Sequence, residues 1–280
     1  MAKFEIVIDS TMILPSKATR PSVVLPFSFT IGGKRLEAKS CDPSMIKDAL
    51  AEGKKVRSQI TPKDATLALE KLLDEGKDVL LLCVSSGVSD SFSTADYIVQ
   101  GLRIKHPDRK IVAVDTLSCG GGEGLLLSLA CDLQKKGLSI DEVAEKLDEA
   151  KLKLHHVIYV DDTSLLANSG IISPSAPSIV NVKSIFDLTR HGQIGVHSKT
   201  LGRKKAITDI IKYVAGTIDQ DNLRVLITYT DEEEAKLIAS RIAALLPSAE
   251  IEYKQENDFV SAYLGENSVC VCFFGDERKA

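Results

Sequence analysis

Residues 78–102 constrain the fold most. They begin with a run of branched apolar residues, Val79, Leu80, Leu81, Leu82 and Val84, and pass through a turn crowded with hydroxyls. Apolar residues at helical spacing follow: Phe92, Ala95, Ile98, Val99 and Leu102. A short run that is apolar at every position suits a strand buried on both faces of a parallel sheet, and the helical period behind it suits the crossover that a parallel sheet requires. The unit recurs. Residues 4–8 form an apolar run ending in Asp9, and residues 111–114 form another ending in Asp115. Leu125, Leu126, Leu129, Ala130 and Leu133 then continue at helical spacing. Upstream, Thr61 and Pro62 suit the N-cap and first position of a helix with Ala65, Ala68, Leu69, Leu72 and Leu73 as its stripe. Strand and helix in alternation predict an α/β fold.

At 280 residues the chain exceeds a typical single domain. The helix opened by Ser139 and the strand at 157–160 bracket the expected division into an N-terminal domain, residues 1–155, and a C-terminal domain, residues 156–280. Each is expected to be a mostly parallel sheet with flanking helices. Residues 161–178 read as a loop, residues 185–197 as a pair of polar strands, and the stretch 23–31 before Gly32 and Gly33 as a strand entering a hairpin, with Pro26 marking an edge or a bulge.

Composition excludes several functions. With 35 basic and 39 acidic residues interspersed and a net charge of −4, no footprint for nucleic acid or an anionic membrane stands out. No apolar run is long enough to span a bilayer, and the charged start has no signal-peptide character, so the expected location is the cytoplasm. None of the six cysteines forms a C-x-x-C pair, and the five histidines do not group at metal-ligand spacing, so neither metal nor cofactor is expected. Cys270 and Cys272 alternate along a strand as small core residues.

Three turns that follow strands, at 9–11, 85–93 and 115–122, are placed to converge at one edge of the first sheet, where open α/β folds bind ligands. The hydroxyls of residues 85–94 suit helix capping first, and also suit an anion held at a helix N-terminus. Cys119 to Gly124 invites a dinucleotide reading, but the G-x-G-x-x-G frame fails because residue 125 is Leu. Ser89 and Ser91 lack the G-x-S-x-G elbow of a hydrolase, and Asp161 with Asp162 reads as a loop cap.

Several segments, in order along both halves, resemble the DegV family of bacterial fatty-acid-binding proteins. They are Ile8-Asp-Ser-Thr11, Ser58-Gln-Ile-Thr-Pro62, Ser85-Ser-Gly-Val-Ser-Asp-Ser-Phe-Ser-Thr-Ala95, Val114-Asp-Thr-Leu-Ser118, Val160-Asp-Asp162, Asn181-Val-Lys183 and Gly202-Arg-Lys-Lys-Ala206. The resemblance implies a two-domain fold with a ligand channel between the domains, and a non-enzymatic protein that presents a long-chain fatty acid to a fatty acid kinase. It implies that Thr61 and Ser89 hold the carboxylate, with Ser86, Asp90, Ser91 and Tyr263 around it. Asp90 stands where the family has glycine, Tyr263 where it has histidine and Ile171 where it has arginine. Asp90 implies repulsion of a bound carboxylate unless its side chain turns to solvent or one of the two is protonated, and Ile171 and Tyr263 imply weak coupling to a kinase. An apolar-ligand sensor without kinase coupling and a serine hydrolase using Ser89 or Ser91 are the alternative readings.

Overall fold

A computed structural model describes residues 4–172 and 181–278. Three sheets organise them. The first has the order β2 (Val23–Leu25), β1 (Phe4–Asp9), β6 (Asp78–Cys83) and β7 (Ile111–Asp115), parallel throughout. A smaller antiparallel sheet pairs β4 (Lys34–Glu37), β3 (Phe27–Ile31) and β5 (Val56–Ile60). Pro26 lies between β2 and β3, so the expected single strand splits there and its halves serve different sheets.

The third sheet runs β10 (Ile194–Leu201), β9 (Val182–Leu188), β8 (Leu154–Tyr159), β13 (Val269–Phe274), β11 (Arg224–Tyr229) and β12 (Glu250–Gln255). Here the expectation of a mostly parallel second sheet needs correction: only β11 and β12 pair in parallel, and the other neighbours are antiparallel. The connections explain it. A tight turn joins β9 to β10, and β13 enters between β8 and β11 from the opposite end, so neither pairing needs a crossover helix. The expected division at residue 155 falls inside β8, whose whole length belongs to this third sheet.

Helices fill the layers between and outside the sheets. Outside the first sheet lie α2 (Pro62–Asp74) and α3 (Ser91–Lys105), with α1 (Pro43–Ala51) against the small sheet. On its other face lie α4 (Gly120–Lys135) and α5 (Ile140–Ala150), the latter started by a capping box between Ser139 and Glu142. Because α4 also packs on β8, β11 and β13, the first and third sheets share one apolar core that reaches from Leu80 and Leu82 to Leu226 and Cys272. Beyond the third sheet are α7 (Arg203–Thr217) and α8 (Glu232–Leu245).

Short α6 (Ser164–Ser169) interrupts the expected 161–178 loop, whose residues 173–178 lie outside the described residues. It packs with α9 (Asp258–Leu264), and both reach α1. Among the described residues no helix is long and apolar enough to cross a membrane.

The glycine run at the start of α4 has a packing cause. A Cβ on Gly121 would lie 2.9 Å from the Thr228 methyl, one on Gly122 2.0 Å from Ser118 Oγ, and one on Gly124 2.1 Å from the Ile13 carbonyl. The glycines let the helix start approach the third sheet at Thr228, its own preceding turn at Ser118 and the segment after β1 at Ile13; nothing in this packing calls for a phosphate.

Candidate functional site

The three turns expected to converge do so, and carboxylates tie them. Asp9 Oδ2 accepts from Val84 N–H at 2.7 Å, and Asp115 Oδ1 accepts from Ser86 N–H at 3.2 Å and Leu117 N–H at 3.0 Å. Thr11 Oγ1 lies 2.6 Å from Asp9 Oδ1 and 2.9 Å from Glu123 Oε2. A hydroxyl has one proton to give, so two carboxyls sharing it need a second proton. Glu123 carries it. Full burial, with Asp9 nearby, holds its pKa well above the usual carboxylate range.

Beside these turns a narrow cavity runs between the two halves of the chain, with about 740 Å³ of space including its opening to solvent. Phe27, Phe29 and Val84 line it from one side, and Ile158, Val260 and Leu264 from the other. Its mouth is polar. A shallower depression formed by Arg57, Ser86, Asp90 and Ser169 shares Ser58, Val88, Ser89, Ile171 and Tyr263 with the cavity wall, so the two are continuous. A second hollow elsewhere is lined by Lys17, Asp132, Arg224, Glu250 and Glu252, charges unsuited to an apolar guest.

The expected site residues separate into groups. Ser89 and Tyr263 line the cavity itself. Ser89 Oγ donates to the Ser58 carbonyl at 2.8 Å and accepts from Ser91 N–H at 3.2 Å. Turning that proton toward a carboxylate would exchange a neutral bond for a charge-assisted one. Burial pushes the Tyr263 phenol above its ordinary pKa, so it is a neutral donor.

Ser91 is fully buried, and its Oγ accepts from Ile60 N–H at 3.0 Å, fastening the start of α3 to β5. Ser86 is exposed at the mouth. Thr61 is not among the cavity-lining residues, yet it sits next to β5 with Oγ1 buried and without a partner. As N-cap of α2 its side chain makes no capping bond.

Asp90 lies at the mouth with its side chain 42% exposed. It occupies the N-cap of α3 without capping it, and forms a bidentate pair with Arg57 on β5: Nε to Oδ2 and Nη2 to Oδ1, each 2.9 Å. The guanidinium neutralises the acid. Ser58 and Arg57 are the mouth residues that sequence reasoning missed, although Ser58 opens the segment that contains Thr61.

Gly87 closes the turn. A Cβ there would lie 2.4 Å from the Gly192 carbonyl in the β9–β10 turn, to which Ser85 Oγ donates at 2.8 Å.

The comparisons agree with this architecture. The family model for DegV, described as uncharacterised proteins, matches residues 3–276. The DegV domain-containing protein YteA of Lactococcus lactis is 27% identical over 289 aligned positions, covering 99% of each chain. Among solved structures, a fatty acid binding DegV family protein from Streptococcus agalactiae superposes with a TM-score of 0.82 at 22% identity, covering 99% of this chain and 100% of that one. The Streptococcus pneumoniae Fatty Acid Kinase B3 protein loaded with linoleic acid gives 0.81 at 21% identity, covering 98% and 100%. With the family model spanning both halves and every turn of the site, this chain belongs to the DegV family.

Proposed function

We propose that this protein is a non-enzymatic carrier of long-chain fatty acids, working in the cytoplasm. The observation that carries the reading is the apolar cavity with a hydroxyl-rich mouth, enclosed by segments of both halves. The two-domain division belongs to the same reading, with the channel between the domains. Relatives of the same fold are described as fatty acid binding or were solved with linoleic acid in place, which supports it.

The carboxylate sits at Ser89 and Ser58, with Thr61 and Tyr263 supplying further donors. The tail fills the apolar length. Burying about fifteen methylenes at roughly 0.8 kcal/mol each yields about 12 kcal/mol before ordering costs, so the tail dominates affinity and the head group orients. A hydrolase reading gains nothing, because Ser89 donates to a backbone carbonyl and Ser91 accepts from a backbone amide, leaving neither beside a base.

Native mass spectrometry of the purified protein tests the carrier reading. The expected result is an adduct of fatty acid mass, or uptake of added hexadecanoic acid after delipidation; a protein that shows neither is no carrier.

Coupling to a kinase is a separate matter. Ile171 and Tyr263 both line the mouth, where phosphoryl transfer to the carboxylate would need positive charge. Replacing them together, Ile171→Arg with Tyr263→His, should raise acyl phosphate formation by a bacterial fatty acid kinase. Efficient transfer on the unsubstituted protein would show both positions to be dispensable.

A further inference from the structure

The cavity wall carries a further polar side chain that is not among the residues of the mouth. His156 stands on β8 two residues from Ile158, so both side chains project to the same face of the sheet, and both line the cavity. The imidazole is 1% exposed. Its Nδ1 lies 3.4 Å from Ser118 Oγ and 3.7 Å from Cys119 Sγ, while Nε2 is buried without a partner.

Burial drives the pKa of His156 down to about 4, so the ring is neutral near pH 7 and offers one donor and one acceptor nitrogen. Whichever nitrogen carries the proton, an alkyl chain against Nε2 leaves a polar atom unsatisfied in a dry site. We propose that this nitrogen recognises an oxygen function on the ligand's tail, so that the acid the cavity selects is a hydroxylated long-chain fatty acid. The inference rests on the carrier reading and adds the class of acid carried.

The ligand's own carboxylate suits this region poorly. Asp9, Glu123 and Glu256 are all buried around Thr11 and Cys119, and although the buried Arg278 also acts on the ring, a further negative charge there would meet three carboxyls and a neutral imidazole. A neutral hydroxyl meets no such objection. It can donate to Nε2 or accept from it, and the rest of its chain still packs on the apolar wall. Glu256 is occupied already, with Oε2 accepting from Thr228 and Oε1 from Asn257 N–H. Among the described residues the acids do not assemble a metal site.

The test offers delipidated protein an equimolar mixture of hexadecanoic acid and hexadecanoic acids bearing one hydroxyl at successive positions along the outer half of the chain, with bound species read by native mass spectrometry. One isomer should bind about tenfold tighter than the unsubstituted acid, the scale of a buried polar group regaining its partner. His156→Leu, similar in volume and without a hydrogen-bonding atom, should invert that preference, and His156→Gln should retain much of it.

If hexadecanoic acid binds and no hydroxylated isomer binds tighter, the inference falls while the carrier reading stands. If none of the acids binds, both fall. An undiminished preference in His156→Leu also overturns the assignment. The mixture on the unsubstituted protein decides the question even if a variant does not fold.

Discussion

Arg57→Ala should weaken fatty acid binding more than it weakens the fold. The Arg57 and Asp90 side chains are 72% and 42% exposed, and partly exposed ion pairs of that kind contribute about 0.2–1 kcal/mol to stability. Removing the guanidinium leaves Asp90 one residue from Ser89. A carboxylate bonded to Ser89 would then face the Asp90 charge across roughly 8 Å, two Cα spacings. At an effective dielectric of about 20–40, that repulsion is roughly 1–2 kcal/mol, or about five- to thirtyfold in affinity. Isothermal titration of a delipidated variant with hexadecanoic acid checks it, and the loss should shrink as salt is raised. Asp90→Asn alone should leave affinity unchanged or slightly improved, and the double variant should recover most of what Arg57→Ala loses. Affinity within twofold of the parent in Arg57→Ala, or a double variant as weak as the single one, would refute the neutralisation argument.

Three further outcomes follow from individual contacts. Gly87→Ala should cost about 1–3 kcal/mol in thermal or denaturant unfolding, because its Cβ would fall 2.4 Å from the Gly192 carbonyl and backbone must move; a loss under about 0.5 kcal/mol would show that the two turns are free to part. Thr61→Val should leave the melting temperature of the delipidated protein unchanged or raised, since it removes a buried hydroxyl without a partner, while weakening acyl binding about tenfold if Thr61 is a head-group donor; unchanged affinity would remove it from the site. Glu123→Gln should gain on the parent as pH rises. A carboxyl whose folded pKa is raised stabilises fully below its unfolded pKa of about 4 and loses that contribution as pH climbs through the folded value, so the difference in melting temperature should widen from about pH 5 to pH 8, and a constant difference would contradict a protonated Glu123.

Much of the fold was legible where one local signal sufficed. The run at 79–84 and the stripe from Phe92 became β6 and α3, and Thr61 with Pro62 opened α2 as expected. Reading failed where tertiary pairing decides. The segments 182–188 and 269–274 alternate or stay apolar in ways that serve parallel and antiparallel neighbours alike, so the mixed third sheet depends on which strand β13 slides between. Likewise α9 is only seven residues long, too short for a periodic signal, and its place is set by α1 and α6. The glycines before Leu125 resemble a ligand motif because the helix they open is pressed against groups distant in sequence, Thr228 and Ile13 among them.

The site was legible in the same uneven way. Hydroxyls at a strand-to-helix turn marked Ser89 correctly as a wall residue, but could not separate it from Ser91, whose opposite duty depends on the amide of Ile60 across the small sheet. Asp90 read as a liability because its partner lies 33 positions upstream, and only the docking of β5 against the 89–91 turn, where Asp90 N–H donates to the Ser58 carbonyl, brings Arg57 to it. That pairing alters what the substitution means. A glycine at position 90 would leave Arg57 without its carboxylate and the mouth with one more positive charge; the acid cancels it. Since Ile171 also supplies no charge at this mouth, the entrance here is close to neutral, suited to admitting a fatty acid and poorly suited to steadying a phosphoryl group. His156 went unremarked for a related reason. Metal-ligand spacing says nothing of it; the signal is β-strand alternation, which sets His156 and Ile158 on one face and turns His155 toward Asp187 on the other. The polar groups at this cavity, the Arg57–Asp90 pair at its mouth and His156 on its wall, therefore take their chemistry from where the strands carrying them lie.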